Sequence, residues 1–445
     1  MLNRREFLKA GAGLAFAAAT LPVRAAQGGG HVVVVGGGVG GATAAKYLKL
    51  ANPKLRVTVI EANRTYVRGY GSSEVVTGHV SMDDLNVSYD TLKSRYGIQF
   101  VFDTVVGFDP ARKQLRTAGR QTLAYDKLIV SPGIRLLYDA IPGYSAAVAE
   151  TRVPSGWIPG AQTALLAKQL KAMRQGGTFV LVAPPTPYRC PPGPYERAAL
   201  VTEWMRRHNP TGKVIILDPK DSFITDATMQ LGWHRLYGYN MPADYLKDLP
   251  ASVQVKNSGR PSPIEWVRAK DGGEVEKIDA RTLAVTTLQG VEKADVLNII
   301  PPMQAGKLAL DMGLTDASGW CPVDRRTFES SVHKDVFVIG DASIADAMPK
   351  SGFSANTQAK VTARAVADQL AGRTPGEPVW ENTCYALAGS EYGLFVADVF
   401  RLKDGKIAQV SGQRYLPLDA TPAQIRLAAT YQQAWLKTFT EDCFA

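Results

Sequence analysis

The chain is 445 residues long, 45% hydrophobic and 21% charged, which excludes disordered and fibrous classes and predicts about two to three domains. Its 51 Lys and Arg against 41 Asp and Glu leave a net charge of +10, so nucleic acid, acidic proteins and anionic substrates all enter as partner classes. Four cysteines are too few to build a disulfide scaffold of this size.

Residues 1–26 are expected to be an export signal rather than part of the fold. A basic start, Asn3-Arg4-Arg5-Glu6-Phe7-Leu8-Lys9, precedes the mostly apolar run Ala10 to Leu21, and Val23-Arg24-Ala25 offers a small-residue cleavage site. That run is too short to span a bilayer. Arg4-Arg5 followed by Phe7-Leu8-Lys9 resembles a twin-arginine signal, which implies export of a folded, cofactor-loaded protein to the periplasm. Without these residues the charge is +7, because four of the positive charges and one negative charge leave with them. The remaining Lys and Arg are scattered, with no run of five or six, which points to an acidic partner or substrate anions and away from nucleic acid. No later segment is apolar for long enough to predict a membrane span.

A dinucleotide site follows. His31 to Val35 reads as a buried parallel strand running into Gly36-Gly37-Gly38-Val39-Gly40-Gly41 and a helical stretch, Ala42 to Leu50. Gly36, Gly38 and Gly41 satisfy G-x-G-x-x-G: a tight turn, close approach of a pyrophosphate, and close packing of helix on strand. The phosphates are then expected at a helix N-terminus. A second strand, Arg56 to Ile60, delivers Glu61 at 20 positions after Gly41, where a carboxylate accepts ribose hydroxyls. Further on, Tyr125 to Gly133 and Val336-Phe337-Val338-Ile339-Gly340-Asp341-Ala342 resemble the remaining FAD motifs of the two-dinucleotide-domain flavoprotein reductases. Three motifs in that order identify FAD as the cofactor, with Gly133, Gly340 and Asp341 among its contacts. The implied fold is α/β, with two Rossmann-like dinucleotide-binding-type domains in the glutathione-reductase arrangement and a small α+β C-terminal domain.

A second βαβ unit is expected between the FAD motifs. Its strand, Gly176 to Val182, is present, and Val214 to Asp218 reads as the next strand. The turn between them, Ala183 to Pro194, has five prolines from Pro184 to Pro192 and no G-x-G-x-x-G. Proline lacks the N–H that would cradle a pyrophosphate, so the nicotinamide site is expected to be lost and the electron donor to be something other than NAD(P)H. The expected divisions are 27–145 and 296–375 for the FAD domain in two parts, 146–295 for the inserted domain, and 376–445 for the C-terminal domain.

Cys190, Cys321, Cys384 and Cys443 form no C-x-x-C and no haem-attachment motif, and four cysteines allow three complete pairings. Cys321 and Cys443 are expected to be inert. The runs Gly36 to Lys46, Cys190 to Ala198, Ile299 to Pro302, Gly319 to Asp324 and Met348 to Gly352 resemble the flavoprotein subunit of flavocytochrome c sulfide dehydrogenases. That resemblance implies a redox-active disulfide between Cys190 and Cys384 beside the flavin, attacked by hydrosulfide, with electrons passing through FAD to the haem of a separate cytochrome c subunit. Lys350 is expected to stabilise negative charge on the reduced ring, and Glu196 to relay a proton. The family attaches FAD through a cysteine in the loop after the second strand; here Thr65-Tyr66-Val67-Arg68-Gly69-Tyr70 puts Gly69 at that place, so FAD is expected to be held non-covalently. Two rival readings are a sulfide:quinone oxidoreductase, for which Ala423 to Phe439 would be an amphipathic anchor, and a non-catalytic flavoprotein that binds sulfur species.

Overall fold

The computed structural model describes residues 29–410 and 414–445; the expected export segment, 1–26, lies outside the described residues. Two parallel sheets dominate the fold. The first runs in the order Val336–Val338, Lys127–Val130, His31–Val35, Arg56–Glu61, Gln99–Phe102, all parallel. Val32, Val33 and Val34 are fully buried, with both faces of the strand covered, which is why it reads as an unbroken apolar run rather than an alternating one. One cover is the helix Val39–Ala51, packed against the long helix Gly352–Leu370. An antiparallel meander, Val105–Asp109, Gln114–Thr117 and Thr122–Ala124, interrupts the passage to Lys127–Val130.

The second sheet runs Ile264–Val267, Lys213–Leu217, Thr178–Val182, Val296–Ile299, again all parallel. Val296–Ile299 therefore belongs to the inserted domain, since Val296 to Ile299 register against Phe179 to Val182. The division expected at residue 296 moves past this strand. The two connections between the domains lie side by side as an antiparallel pair, Ile134–Leu136 with Met303–Ala305. That pairing holds both crossings in one seam.

The C-terminal region is an antiparallel sheet, Val379–Gly389, Tyr392–Lys403 and Lys406–Gln409, followed by the helix Pro422–Phe444. Thr421 and Gln424 form a capping box at the start of that helix, with Pro422 in the first turn. Its buried side, including Ile425, Leu436, Phe439 and Phe444, packs on the sheet and on the Val39–Ala51 helix. Among the described residues no helix is long and apolar enough to cross a membrane.

Candidate active site

The ends of the first sheet, the proline-rich turn of the second domain and the C-terminal sheet and helix close around one cavity of about 680 Å³. Gly36, Gly38, Glu61, Gly133, Gly340 and Asp341 line it, and so do Cys190, Glu196 and Cys384. The floor is built from the first βαβ turn. Gly36 has φ +94°, and a Cβ there would lie 2.4 Å from the Ser131 carbonyl oxygen. A Cβ on Gly41 would lie 1.8 Å from the Gly36 carbonyl oxygen, so only glycine lets this helix start so close to the strand. Gly41 thus acts behind the cavity wall rather than in it. At Gly38, by contrast, the nearest atom to such a Cβ is Tyr66 Cε2 at 3.6 Å, so the missing side chain leaves a cradle open to the cavity.

Whether these groups fit a flavin dinucleotide is read from the polar atoms they offer. Gly38 is the N-cap of Val39–Ala51, so the unpaired N–H groups of that helix face the cradle, as a pyrophosphate requires. Glu61 closes the strand Arg56–Glu61; its Oε2 accepts from Gly37 N at 2.6 Å and its Oε1 from Asn63 N at 2.9 Å. Asp341 is 10% exposed; its Oδ2 accepts from Arg189 Nε at 2.6 Å, while its buried Oδ1 has no hydrogen-bond partner among the described residues. A buried carboxylate oxygen without a donor is costly, and a ligand hydroxyl relieves it. The size of the cavity, its cradle and this acceptor fit FAD.

Cys190 stands in the turn after Thr178–Val182, with the left-handed φ of +57°. Its N–H donates to the Lys350 carbonyl at 2.8 Å, and its own carbonyl accepts from Gly193 N at 2.9 Å, the start of the helix Gly193–His208. Its side chain is exposed to the cavity, and enclosure by the cavity walls pushes the thiol pKa up, helped by Glu196 and opposed by Arg189. Cys384 sits within the strand Val379–Gly389, two residues from Asn382 and so on the same face. Buried Asn382 Oδ1 accepts from Cys384 Sγ at 3.4 Å and from Ser351 Oγ at 2.6 Å; Ser351 in turn caps the helix Gly352–Leu370. Burial pushes the Cys384 thiol up to about 11, against the pull of Ser351 and Asn382. Both cysteines are free thiols in this structure, as are the buried Cys321 and Cys443.

Glu196 ties the two sulfur-bearing segments together. It lies in the first turn of Gly193–His208, and its Oε1 accepts from Leu387 N at 2.9 Å on the strand that carries Cys384. Burial, followed by the repulsion of Glu74, raises its carboxyl to about 8. Glu74 also lines the cavity and accepts from Gln433 Nε2 at 3.1 Å.

Lys350 departs from its expected place. Its ammonium does not line the cavity: it donates to the Asp341 carbonyl at 2.7 Å and the Ser343 carbonyl at 3.1 Å, and lies 3.7 Å from the centre of the Trp320 ring. Its backbone, not its charge, reaches the site, by holding Cys190. The sequence reading missed Arg189, Glu74, Asn382 and an aromatic wall. Arg189 stands beside Cys190 in a run already singled out, so it was within reach; Glu74 and Asn382 belong to no motif. The wall stacks Trp435 on Phe439 at 4.9 Å and sets Phe353 and Tyr70 at 5.4 and 5.2 Å from Phe439.

Family comparisons match three stretches of the chain. Residues 30–156 match the pyridine nucleotide-disulphide oxidoreductase family, 163–301 the central region of the sulfide dehydrogenase [flavocytochrome c] flavoprotein chain, and 376–444 the flavocytochrome c sulphide dehydrogenase flavin-binding region. The chain is 25% identical over 317 residues to a mitochondrial sulfide:quinone oxidoreductase of Mus musculus, a match covering 70% of this chain and 65% of that protein. It is 51% identical over 37 residues to the flavoprotein chain of a flavocytochrome c sulfide dehydrogenase of Chlorobaculum thiosulfatiphilum, covering 8% of this chain and 77% of that sequence. The crystal structure of a sulfide:quinone oxidoreductase from Aquifex aeolicus shares the fold, with a TM-score of 0.66 at 17% identity over 93% of this chain and 92% of that one.

Proposed function

Since the chain belongs to the flavocytochrome c sulfide dehydrogenase and pyridine nucleotide-disulfide oxidoreductase superfamily, we propose that it is a flavin-dependent oxidoreductase that oxidises sulfide at Cys190 and Cys384. One observation carries this reading: two thiols from different domains line the same cavity as the dinucleotide cradle. In the working cycle the two sulfurs form a disulfide. Hydrosulfide attacks one of them, an S–S bond forms as the original one breaks, and the other cysteine leaves as a thiolate. A second hydrosulfide takes the outer sulfur away as a hydrodisulfide and leaves both cysteines reduced; FAD, when bound, would accept the two electrons released as the disulfide re-forms. Glu196, with its raised pKa, holds a proton near neutral pH between the two cysteine-bearing segments and delivers it where a thiolate forms. Gly36, Gly38 and Glu61 would hold the adenosine and pyrophosphate end, with Gly41 setting the helix start behind them, and Gly133, Gly340 and Asp341 would hold the rest of the cofactor. The FAD is non-covalent, because Gly69 lines the cavity where the family uses a cysteine.

Two acceptors for the second half-reaction have support. A cytochrome c subunit fits the flavocytochrome matches over 163–301 and 376–444 and the positive charge of +7 left without residues 1–26, which suits an acidic partner. A quinone fits the aromatic wall of Phe353, Trp435 and Phe439, which offers a flat apolar surface inside the cavity, and the likeness that runs over 317 residues rather than 37. On these grounds the quinone has the wider support. The twin-arginine-like start fits work outside the cytoplasm for either acceptor.

The test is anaerobic mixing of the FAD-loaded protein with sulfide, watching the flavin absorbance. Bleaching is expected; an unchanged flavin spectrum overturns the reading. Adding a short-chain ubiquinone to one sample and oxidised cytochrome c to another then identifies the acceptor by which one reoxidises the flavin faster.

A further inference from the structure

The ammonium of Lys350 is committed to two backbone carbonyls and the face of Trp320, which leaves the cofactor cavity without the cation expected there. Another cation stands in the cavity. Arg189 lines it, 28% exposed, one residue before Cys190. Its backbone N–H is held by Met303 Sδ at 3.1 Å, on the strand that pairs the two domain crossings. Its Nε donates to Asp341 Oδ2 at 2.6 Å, and one Nη lies 3.1 Å from where a Cβ on Gly133 would stand. The two Nη groups make no hydrogen bond within the described residues, so they remain available to a ligand.

We propose that Arg189 is the positive charge this chain presents to the bound cofactor, and that its ion pair with Asp341 latches the proline-rich turn of the second domain onto the cofactor cavity. The inference rests on FAD occupying this cavity. The flavin ring gains negative charge on two-electron reduction, and a guanidinium in a partly closed cavity favours the reduced form over the oxidised one. Other charged and titratable groups line it too: the carboxyls of Glu61, Glu74, Asp103, Glu196 and Asp341, the phenols of Tyr66, Tyr70, Tyr89 and Tyr385, and the two thiols, while Arg189 is the cation among them. Asp341 neutralises part of the Arg189 charge and fixes its direction. The same cation favours the Cys190 thiolate, against the cavity walls and the Glu196 carboxylate that oppose it. A loop that in a related fold would hold a nicotinamide phosphate thus brings one sulfur and one cation to the first domain's cofactor.

The test uses the full chain loaded with FAD and needs no sulfide: the flavin midpoint potential is measured by slow enzymatic reduction against a reference dye, together with the affinity for oxidised FAD. Arg189→Gln is expected to weaken binding of reduced flavin about tenfold relative to oxidised, a fall of about 30 mV for a two-electron couple. Arg189→Lys keeps the charge and is expected to retain most of the potential while losing the ion-pair geometry with Asp341. If Arg189→Gln holds FAD at the wild-type potential, the proposal is overturned. If Arg189→Gln cannot hold FAD, Arg189→Lys decides: a potential that falls as far as tenfold discrimination predicts, despite the retained charge, also overturns it. Sulfide reduction of the wild-type flavin is scored separately, so a protein whose potential shifts on Arg189→Gln but whose flavin ignores sulfide sinks the function and leaves this inference standing.

Discussion

The two parallel sheets start alike and diverge at the first turn. In the first domain the strand His31–Val35 ends in glycines that leave a cradle, and Glu61 at the end of the next strand keeps its carboxylate at the cavity, bonded only to local N–H groups of Gly37 and Asn63. In the second, Thr178–Val182 ends in prolines, and Asp218, directly after Lys213–Leu217, is fully buried. Asp218 accepts from Tyr195 Oη, from Trp266 Nε1 at 2.9 Å and from Lys220 Nζ at 2.6 Å. Tyr195 itself stacks on Phe223 with ring centres 3.4 Å apart, filling the space beside the strand ends. The same βαβ scaffold therefore serves as a ligand site where its polar ends stay open and as packing where side chains of the chain itself satisfy them. The second turn is then free to carry Cys190 and Arg189 toward the first domain.

The sharpest way to break this comparison is to ask each turn for the other's chemistry. Cys190→Ser is expected to lower the rate of sulfide-driven flavin reduction by about 10³-fold or more, as loss of a nucleophilic partner in a concerted pair does. NADH or NADPH added to the wild-type protein is expected to leave the flavin oxidised. Stopped-flow absorbance measures both, and rapid flavin reduction by NADPH would mean that the second domain kept its dinucleotide site.

Next in size are the two acidic residues. Asp218→Ala strands the Lys220 ammonium, whose side chain is 12% exposed, and leaves Tyr195 and Trp266 without their acceptor. It is expected to cost about 3–5 kcal/mol of folding stability. Glu61→Gln keeps an acceptor for Gly37 N, so the apoprotein should lose no more than about 1 kcal/mol, while FAD binds about tenfold more weakly. Urea denaturation and fluorescence titration with FAD separate the two; equal stability losses would erase the distinction between a packed end and an open one.

Much of this contrast was legible in the sequence. G-x-G-x-x-G followed by a strand ending in Glu61 specifies its geometry through backbone requirements that few other residues satisfy, and five prolines forbid that geometry equally plainly. The pairing of Val296–Ile299 with Thr178–Val182 was not legible at the division, because an apolar strand buried on both faces fits either sheet. The course of the Lys350 side chain was not legible for a different reason. Its neighbours in sequence face the cavity, but where a long side chain goes depends on distant acceptors, here the Asp341 and Ser343 carbonyls, which no local pattern encodes. Glu74 and Asn382 were hidden in the same way, brought to the site only by packing of the Ser72–Thr77 helix and the C-terminal sheet.

A smaller effect tests the seam where the two regions meet. Glu196 holds its proton up to about pH 8 in the folded protein, whereas an unfolded chain releases it near the ordinary carboxylate value. Between these values the unfolded state binds fewer protons than the folded one, so stability contributed by this group falls as pH rises and levels off above about 8. Glu196→Gln is expected to flatten that slope in denaturation curves taken from pH 5 to 9. It should also remove a limb near pH 8 from the rate of flavin reduction by sulfide. If the slope persists unchanged, the carboxyl titrates normally and the proton relay loses its physical basis.

The smallest effect belongs to Gly69, which stands where the family resemblance implies a cysteine. The nearest atom to a Cβ at this position is Pro159 Cδ at 4.0 Å, so Gly69→Ala meets no clash and should change stability by less than about 0.5 kcal/mol. The glycine is thus not required by packing, and its consequence is chemical: it offers no sulfur to a cofactor that fills the cavity beside it. Acid precipitation of the loaded wild-type protein, and of Gly69→Ala, should release the yellow cofactor into the supernatant. Flavin that stays with the pellet after washing would place the attachment on another residue of the cavity. Neither cavity thiol could then be assumed free for sulfide, since Cys190 and Cys384 are the sulfurs that line it.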